Sequence, residues 1–140
     1  ASYLLNVGPD KNGTITEEYE HNLVKVADWY NRMQGVLERT EPDTSDYGIC
    51  HDKYIASIKN GKTYLHFYEG LISNSVAIKN FPVSPKAVKF MNSGKALNYN
   101  VIPLPEFMDM TKDCQEPLLH IYGIDADKYS DEPIVIEIEW

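Results

Sequence analysis

Hydrophobic positions recur with two different periods along the chain, and the change of period divides it into two parts. After Thr16 the apolar side chains recur at helical spacing and form a single stripe of Tyr19, Leu23, Val26, Ala27 and Tyr30, widened by Val24 and Trp29. This pattern predicts an amphipathic helix. We expect it to end near Trp29 and Tyr30, with Gly35 as a plausible stop.

Turn and strand signals precede this helix. Residues 3–7 are predicted to form a short buried strand, and Gly8-Pro9 and Asn12-Gly13 are turn signals. Thr14 or Thr16 could cap the helix, while three glutamates would place negative charge on its positive end: Glu17, Glu18 and Glu20. Together these elements predict one βα unit. Because a parallel strand needs covering on both faces, we expect the chain to be a piece of something larger.

Beyond residue 48 the apolar positions alternate, as they do in half-buried strands. Seven strands are predicted, at residues 53–58, 63–68, 75–79, 87–91, 97–102, 118–122 and 134–139. Asn60-Gly61 is a strong hairpin signal and Ser93-Gly94 predicts a second turn. Short strands at this spacing are typical of an antiparallel β-sandwich.

Residues 38–48 are polar and rich in turn formers, so they are the best candidate for a domain boundary. The predicted organisation is a strand–loop–helix unit at 1–40, a linker at 41–47 and a β-sandwich domain at 48–140. An irregular insertion is expected at 103–114, between the fifth and sixth predicted strands.

The first part of the chain resembles a known family. The run from Leu4 to Pro9, followed by 10–13, Thr14-Ile15 and Glu17-Glu18, is similar to the last strand, loop and helix of the catalytic barrel of α-L-fucosidases (glycoside hydrolase family 29). The segment Asp28-Trp29-Tyr30 fills the place of that family's helix tryptophan, whereas Thr16 stands where the family often has a proline. In that family a C-terminal antiparallel β-sandwich follows the barrel.

The resemblance implies that this chain is a C-terminal, non-catalytic fragment whose partner is the catalytic barrel of the same parent chain. The parent would act on fucosylated glycans by a retaining mechanism, in the periplasm or outside the cell. The family's catalytic residues lie on earlier barrel strands, so no catalytic, metal-binding or cofactor-binding residue is expected here. Asn6, Gly8 and Pro9 match the motif and are expected to shape a turn. The loop 8–13 would lie near the rim of the parent's active site.

Composition narrows the possible partners. A net charge of −8 argues against nucleic acid or an anionic membrane surface, because each would favour a basic patch. No apolar run approaches the roughly 20 residues that a membrane-spanning helix needs. Cys50 and Cys114 have neither zinc-knuckle nor redox-motif spacing. They could form one long-range disulfide or remain two buried thiols.

Carboxylate and histidine groups are the candidates for chemistry within the chain. Retaining glycoside hydrolysis uses two carboxyl groups about 5 Å apart. The acidic groups are the helix-start glutamates, Asp109 with Asp113, and a patch that could offer oxygen ligands to Ca²⁺: Asp125, Asp127, Asp131 and Glu132. We favour a structural interpretation for each group. The glutamates mark a helix start, Asp109 and Asp113 lie in a solvated loop, and the patch lies in a surface hairpin loop. The histidines show no short metal-binding spacing: His21, His51, His66 and His120.

Aromatic residues leave a second function open, that of a stand-alone carbohydrate-binding β-sandwich module. Ring faces could stack on sugars if several lined one surface, and the candidates are Tyr64, Phe67, Tyr68, Tyr122 and Tyr129. Aromatic residues are also enriched in sheets for packing, which is the interpretation we favour. A sandwich that mediates protein interactions is a third possibility.

Overall fold

The protein consists of one long helix and two antiparallel β-sheets. A computed structural model describes residues 6, 8–49, 52–103 and 117–140. The predicted strand at 3–7, apart from residue 6, lies outside the described residues, as do both cysteines, His51 and the acidic cluster at Asp109 and Asp113. The mainly β architecture predicted from sequence is confirmed.

Helix α1 spans Glu17–Leu37, about two turns further than the position of Trp29 and Tyr30 suggested. Thr16 occupies the N-cap position, but its side chain makes no capping hydrogen bond. Gly35 lies inside the last turn. The helix ends at Leu37 with Glu38 as its C-cap, and the chain then turns at Arg39 with a left-handed φ of 57°.

The face of α1 that packs on the protein differs from the predicted stripe. Met33 and Val36 are buried and Trp29 and Leu37 are partly buried, all in the second half of the helix. Five residues of the predicted set are instead exposed: Tyr19, Val24, Val26, Ala27 and Tyr30. The stripe is therefore apolar and helical as predicted, but most of it lies beside the packed face and has no cover among the described residues.

The larger sheet has six strands in the order β1-β2-β3-β9-β5-β6. Its strands are β1 Glu41–Asp43, β2 Ile55–Lys59, β3 Lys62–Phe67, β5 Ala87–Phe90, β6 Lys95–Ala96 and β9 Ile134–Glu139. The smaller sheet has the order β4-β8-β7, from β4 Ser75–Ile78, β8 Leu118–Tyr122 and β7 Asn98–Ile102. Every strand pair is antiparallel.

Two strands were not predicted. β1 lies within the segment 41–47 predicted as a linker, and it pairs with β2 at the edge of the sheet, where the missing N–H of Pro42 is tolerated. The predicted strand 97–102 is shorter and is preceded by β6. Leu97 separates β6 from β7, and the chain changes sheets there. The division of the chain at residue 40 stays a prediction.

The two predicted turns form as expected. Asn60 and Gly61 connect β2 to β3 with φ values of 53° and 75°, the left-handed pair that a type I′ hairpin turn requires. Gly94 follows Ser93 with a φ of 73°, and its N–H donates to the carbonyl of Phe90 at 2.8 Å. These turns fix the registers β2–β3 and β5–β6.

The core lies between the facing sheets. The six-stranded sheet contributes alternate side chains such as Leu65, Phe67 and Ile136, and the three-stranded sheet contributes Ile78 and Ile121. Each of these side chains is fully buried. At about 1.5–3 kcal/mol for each large apolar side chain, this layer is the main source of stability.

The acidic patch does not lie on a hairpin, so that prediction is wrong. Residues 123–133 carry the chain from β8 in one sheet to β9 in the other, through a short 3-10 helix at Asp127–Tyr129. Ile124 and Ala126 are buried, and their N–H groups donate to Asn74 at 3.1 and 3.3 Å. Burial of these two residues holds the connection against the core.

Candidate functional site

The junction between α1 and the sandwich is the most elaborate polar site in the described part of the chain. Arg32 on the helix donates from Nη1 and Nη2 to the two carboxylate oxygens of Glu132, at 2.9 and 2.5 Å. Arg32 Nη1 also donates to the carbonyl oxygen of Asn92 at 3.0 Å. A two-point pair of this kind fixes direction as well as distance.

Asn92 holds the other side of this pair. It is buried, and its Nδ2 donates to Glu132 Oε1 at 2.7 Å and to the carbonyl of Pro133 at 2.9 Å. Its Oδ1 accepts the N–H of Val135 at 2.8 Å, so each polar atom of the side chain has a partner. Trp29 Nε1 donates to the same Pro133 carbonyl at 3.3 Å. We call the set Trp29, Arg32, Asn92, Glu132 and Pro133 the latch.

Ionisation of the latch follows from these contacts. Burial works to raise the pKa of Glu132, but hydrogen bonds from Arg32 and Asn92 outweigh it, so that pKa is lowered. The hydrogen bonds that Arg32 donates to Glu132 raise the pKa of Arg32. Both groups are thus held in their charged forms. Lys25 and Asp131 form a second ion pair nearby at 3.1 Å, with both side chains mostly exposed.

An apolar contact and a lysine complete the junction. Met33 and Val36 pack against Tyr64 on β3 and Val135 on β9, on the face of the sheet opposite the core. Lys59 Nζ donates to the carbonyl oxygens of Gly35 and Glu38, at 2.5 and 2.7 Å. A cation at this end satisfies free carbonyls and the negative end of the helix dipole.

Beside the latch runs an open groove of about 1360 Å³ along α1. It is lined by both helix and sandwich residues, among them Val26, Trp29, Tyr30, Arg32 and Glu132. Within the described residues, no group of three or more His, Cys, Asp or Glu side chains could hold a metal ion. The groove is suited to protein packing, since it continues the exposed apolar face of α1.

The loop before the helix is organised by Asp10. Its Oδ1 accepts the N–H groups of Asn12 and Thr14, at 2.8 and 2.9 Å. These hydrogen bonds lower the pKa of Asp10, and the bond from Thr14 has the larger effect. Gly13 has a left-handed φ of 80°. Asp10, which the motif did not single out, therefore shapes this turn.

Two residues of the acidic patch form ion pairs, and the other two are exposed. Asp131 and Glu132 pair with Lys25 and Arg32, while Asp125 and Asp127 are exposed. The glutamates Glu17, Glu18 and Glu20 lie in the first turn of α1 and are exposed, as expected for a helix start.

The histidines are dispersed through the described part of the chain. His66 is half-buried on the helix side of the larger sheet, where its Nε2 lies 2.9 Å from Ser57 Oγ and burial lowers its pKa. His120 stacks on Tyr122, with ring centroids 5.3 Å apart. His21 is exposed on α1.

The predicted aromatic candidates do not share one surface. Tyr64 lies under the helix, Phe67 is in the core, and Tyr68 is exposed after β3. Tyr129 packs edge-on against Phe90 at 5.3 Å. Tyr122 alone of the five lies on the outer face of the smaller sheet, with Ser75 and Asn98 as its register partners.

The fold is that of an antiparallel two-sheet protein with a docked helix, and it is shared with α-L-fucosidases. The chain is similar to the α-fucosidase of Thermotoga maritima in complex with fucose, with a TM-score of 0.63 and 17% identity. It is equally similar to the α-L-fucosidase from Vibrio sp. strain EJY3, with a TM-score of 0.63 and 18% identity. The resemblance inferred from residues 2–37 is thus confirmed at the level of fold.

Coverage of these matches is unequal. They span 96% of this chain but only 30% of the Thermotoga chain and 22% of the Vibrio chain. A further α-L-fucosidase structure matches 98% of this chain and 29% of its own, with a TM-score of 0.59. No protein-family model matches the chain, and its sequence matches no curated protein. Among the described residues no helix has the length and apolar character needed to cross a bilayer.

Proposed function

We propose that this chain is the C-terminal, non-catalytic part of an α-L-fucosidase, in which α1 is the last helix of the catalytic barrel. The observation that carries the proposal is the extent of the fold match. It includes nearly all of this chain, helix and sandwich together, and under a third of each fucosidase. The sequence run from Leu4 to Pro9 and its following helix supports the same assignment.

The exposed apolar stripe of α1 supports the proposal that the parent protein has a further element packed against this helix. Tyr19, Val26 and Tyr30 are 47%, 51% and 41% exposed, and they lie on one side of the helix. Large apolar side chains that recur along one helix face are normally covered. The barrel strands and the preceding barrel helix would supply that cover in the parent.

We assign the hydrolysis itself to the barrel of the parent and not to the described carboxyl groups. A retaining glycosidase needs a general acid whose pKa is raised, beside an ionised nucleophile. In the described part of the chain, each carboxyl group with a shifted pKa has it lowered: Asp10, Glu38, Asp43, Asp131 and Glu132. We place the catalytic pair, and the fucosylated glycan it acts on, in the barrel of the parent.

The role of the fragment is then to position the end of the barrel. The latch and Lys59 hold α1 on the sandwich at several points, so a barrel that contains α1 is fixed to the sandwich by a rigid element rather than by a tether. The sandwich would thereby limit how far the last βα unit can move.

Activity measurements on two chains test this proposal. The 140-residue chain is expected to give no turnover of an aryl α-L-fucoside, and the full open reading frame is expected to give turnover. Release of aryl alcohol by the purified 140-residue chain would overturn the non-catalytic role. An upstream reading frame without roughly 250 residues of alternating strands and helices would overturn the barrel origin.

The retaining mechanism is tested on the full-length protein. Proton NMR of the first product formed is expected to show α-L-fucose before it equilibrates with the β anomer. Initial formation of the β anomer would contradict retention. Localisation outside the cytosol is expected for an enzyme that acts on glycans, and cell fractionation with an antibody to this chain checks it.

A further inference from the structure

The turn that precedes α1 contains the tripeptide Asn12-Gly13-Thr14, which has the Asn-x-Ser/Thr form of an N-linked glycosylation site. Its middle residue is glycine and not proline, as the pattern requires. Asn12 is the one asparagine of the sequence that has a serine or threonine two positions later. Because a pattern of three residues often arises by chance, the placement of each residue in the fold decides its meaning.

Asn12 presents its side chain to solvent. Residues 8–22 are all exposed, and Asn12 Nδ2 lies 3.5 Å from Oδ2 of Asp10, at the outer limit of a hydrogen bond. No atom outside the adjoining residues lies within 4 Å of a Cβ built at Gly13. The amide nitrogen is therefore accessible, and an oligosaccharide attached to it would extend into solvent without displacing any described part of the protein.

The hydroxyl of Thr14 is not needed for the turn. The backbone N–H of Thr14 donates to Asp10 Oδ1 at 2.9 Å, and its carbonyl accepts the N–H of Asp10 at 2.8 Å. Its side chain is exposed and makes no hydrogen bond within the described ranges, and Thr16 rather than Thr14 is the N-cap of α1. The turn thus accounts for Asp10 and Gly13, but it does not account for the hydroxyl group that the glycosylation pattern requires.

The hairpin turn between β2 and β3 provides an internal comparison. Asn60-Gly61 is the same dipeptide in an exposed turn, and the glycine φ is 75° there and 80° at Gly13. The third residue of that turn is Lys62, whose side chain forms an ion pair with Glu137 at 2.8 Å. Both turns use Asn-Gly for its backbone conformation, and only the turn before α1 adds a hydroxyl at the third position.

We propose that Asn12 is the acceptor of an N-linked oligosaccharide. Nδ2 of Asn12 forms a bond to C1 of the first sugar of an oligosaccharide carried on a lipid diphosphate. The bond between C1 and the diphosphate oxygen breaks, the lipid diphosphate leaves with the bonding electrons, and one amide proton passes to a base of the transferase. Because this donor serves exported proteins, the inference rests on the proposed location outside the cytosol.

Secretion of the 140-residue chain from a eukaryotic host tests the acceptor, because chain recovered from the medium has passed the transferase. Peptide N-glycosidase is expected to lower its mass by one oligosaccharide and to convert residue 12 to aspartate. Trypsin releases residues 12–25 as one peptide, so mass spectrometry can locate the change. Asn22 lies in the same peptide without the pattern, and it is expected to remain asparagine.

Four variants separate the pattern from exposure alone. Asn12→Gln and Thr14→Val are each expected to lose the oligosaccharide completely, and the valine variant does so with the acceptor amide still in place. Thr14→Ser keeps the hydroxyl and is expected to retain the modification. The matched control is Asn60→Asp in the comparison turn, which is expected to carry the same oligosaccharide as the unchanged chain. Circular dichroism of each variant checks that these exposed positions leave the fold intact.

A secreted chain whose mass does not change with the glycosidase would overturn the proposal, as would a Thr14→Val chain that still carries the oligosaccharide. The peptide 12–25 is then measured in protein isolated from the cells that make it. An oligosaccharide on Asn12 there supports the proposal, and unmodified Asn12 there contradicts it whatever the secreting host does. Because mass and not fucoside turnover is measured, either result leaves the catalytic proposal unchanged.

Discussion

Arg32 and Glu132 are 100 positions apart in sequence, yet they form a two-point ion pair with N–O distances of 2.9 and 2.5 Å. The pair joins the last turns of the helix to the connection that leads into β9. Asn92 braces the carboxylate from the other side at 2.7 Å. The helix is thus held by directed polar contacts as well as by the packing of Met33 and Val36.

Removal of the latch arginine is expected to destabilise the chain. Arg32→Ala leaves Glu132, whose side chain is only 14% exposed, without its cation, and the expected loss is about 1–2 kcal/mol in the free energy of unfolding. This value is below that of a fully buried pair because the Arg32 side chain is 38% exposed. Urea denaturation followed by circular dichroism measures it.

Lys25→Ala is the matched control for that measurement. It removes the cation of the neighbouring pair with Asp131, whose side chains are 55% and 66% exposed, so the expected loss is far smaller than that of Arg32→Ala. Equal losses for the two variants would show that the latch contributes no more than an ordinary surface ion pair.

The latch also predicts a dependence of stability on pH. The pKa of Glu132 is lowered in the folded protein from its ordinary value of 4.5, so its contribution is complete above that value and is lost as the pH falls through the folded pKa. The stability gap between the unchanged chain and Glu132→Gln should therefore be constant at neutral pH and close under acid. Urea midpoints of both proteins between about pH 7 and pH 3 test this. A gap that widens as the pH falls would contradict it.

Two glycines are expected to respond to alanine in opposite directions. Gly61→Ala places a side chain at a φ of 75° in the β2–β3 turn and should destabilise by about 1 kcal/mol. Gly35→Ala lies in α1 with no atom within 4 Å of the new Cβ, and it should stabilise by a similar amount through helix propensity. Thermal melts of both variants check the signs, and a Gly61→Ala chain that melts at or above the original temperature would remove the turn argument.

The two faces of α1 are expected to differ in mutational cost. Met33→Ala removes a fully buried side chain between the helix and the sheet, with an expected loss of about 2–4 kcal/mol. Val26→Ala, at a position 51% exposed, should cost at most about 0.5 kcal/mol in the 140-residue chain. Trp29 fluorescence reports undocking of the helix, and a large effect of Val26→Ala would mean that this face is already covered.

The same Val26→Ala change should cost more in the full-length protein if the barrel covers the stripe. We expect the loss to rise above about 1 kcal/mol there, because the methyl groups would be buried. An unchanged small effect in the longer chain would argue against contact between the barrel and this side of the helix. Ile72→Ala, at a position 77% exposed and outside the helix, is the control in both chains.

Local patterns predicted much of the fold and little of the junction. The alternation of apolar residues predicted the bounds of β8 and β9 correctly. The Asn60-Gly61 pair predicted the hairpin between β2 and β3. The strand at 97–102 was predicted to begin at Leu97, whereas β6, the two residues before it, was not predicted. The latch had no sequence signal, since Arg32, Asn92 and Glu132 become neighbours only through the tertiary fold.

The helix illustrates the same limit. Its apolar stripe was read correctly as amphipathic, but periodicity cannot say which neighbour covers a face. Trp29, Met33 and Val36 follow helical spacing too, and the sandwich uses that row. Of the candidate sugar-stacking residues, only Tyr122 lies on the outer face of the smaller sheet, because Tyr64 is covered by the helix and the others pack in the core or lie beyond the strands.

The change of sheet at Leu97 has a mechanical meaning. Lys95–Ala96 belongs to the larger sheet and Asn98–Ile102 belongs to the smaller one. One continuous segment of backbone therefore contributes a strand to each sheet. Leu97 donates its N–H to Val88 at 2.9 Å, and its side chain is 8% exposed. A shearing load that tries to slide one layer past the other must bend the backbone at this buried residue. We therefore expect tension applied to the helix to load both sheets together.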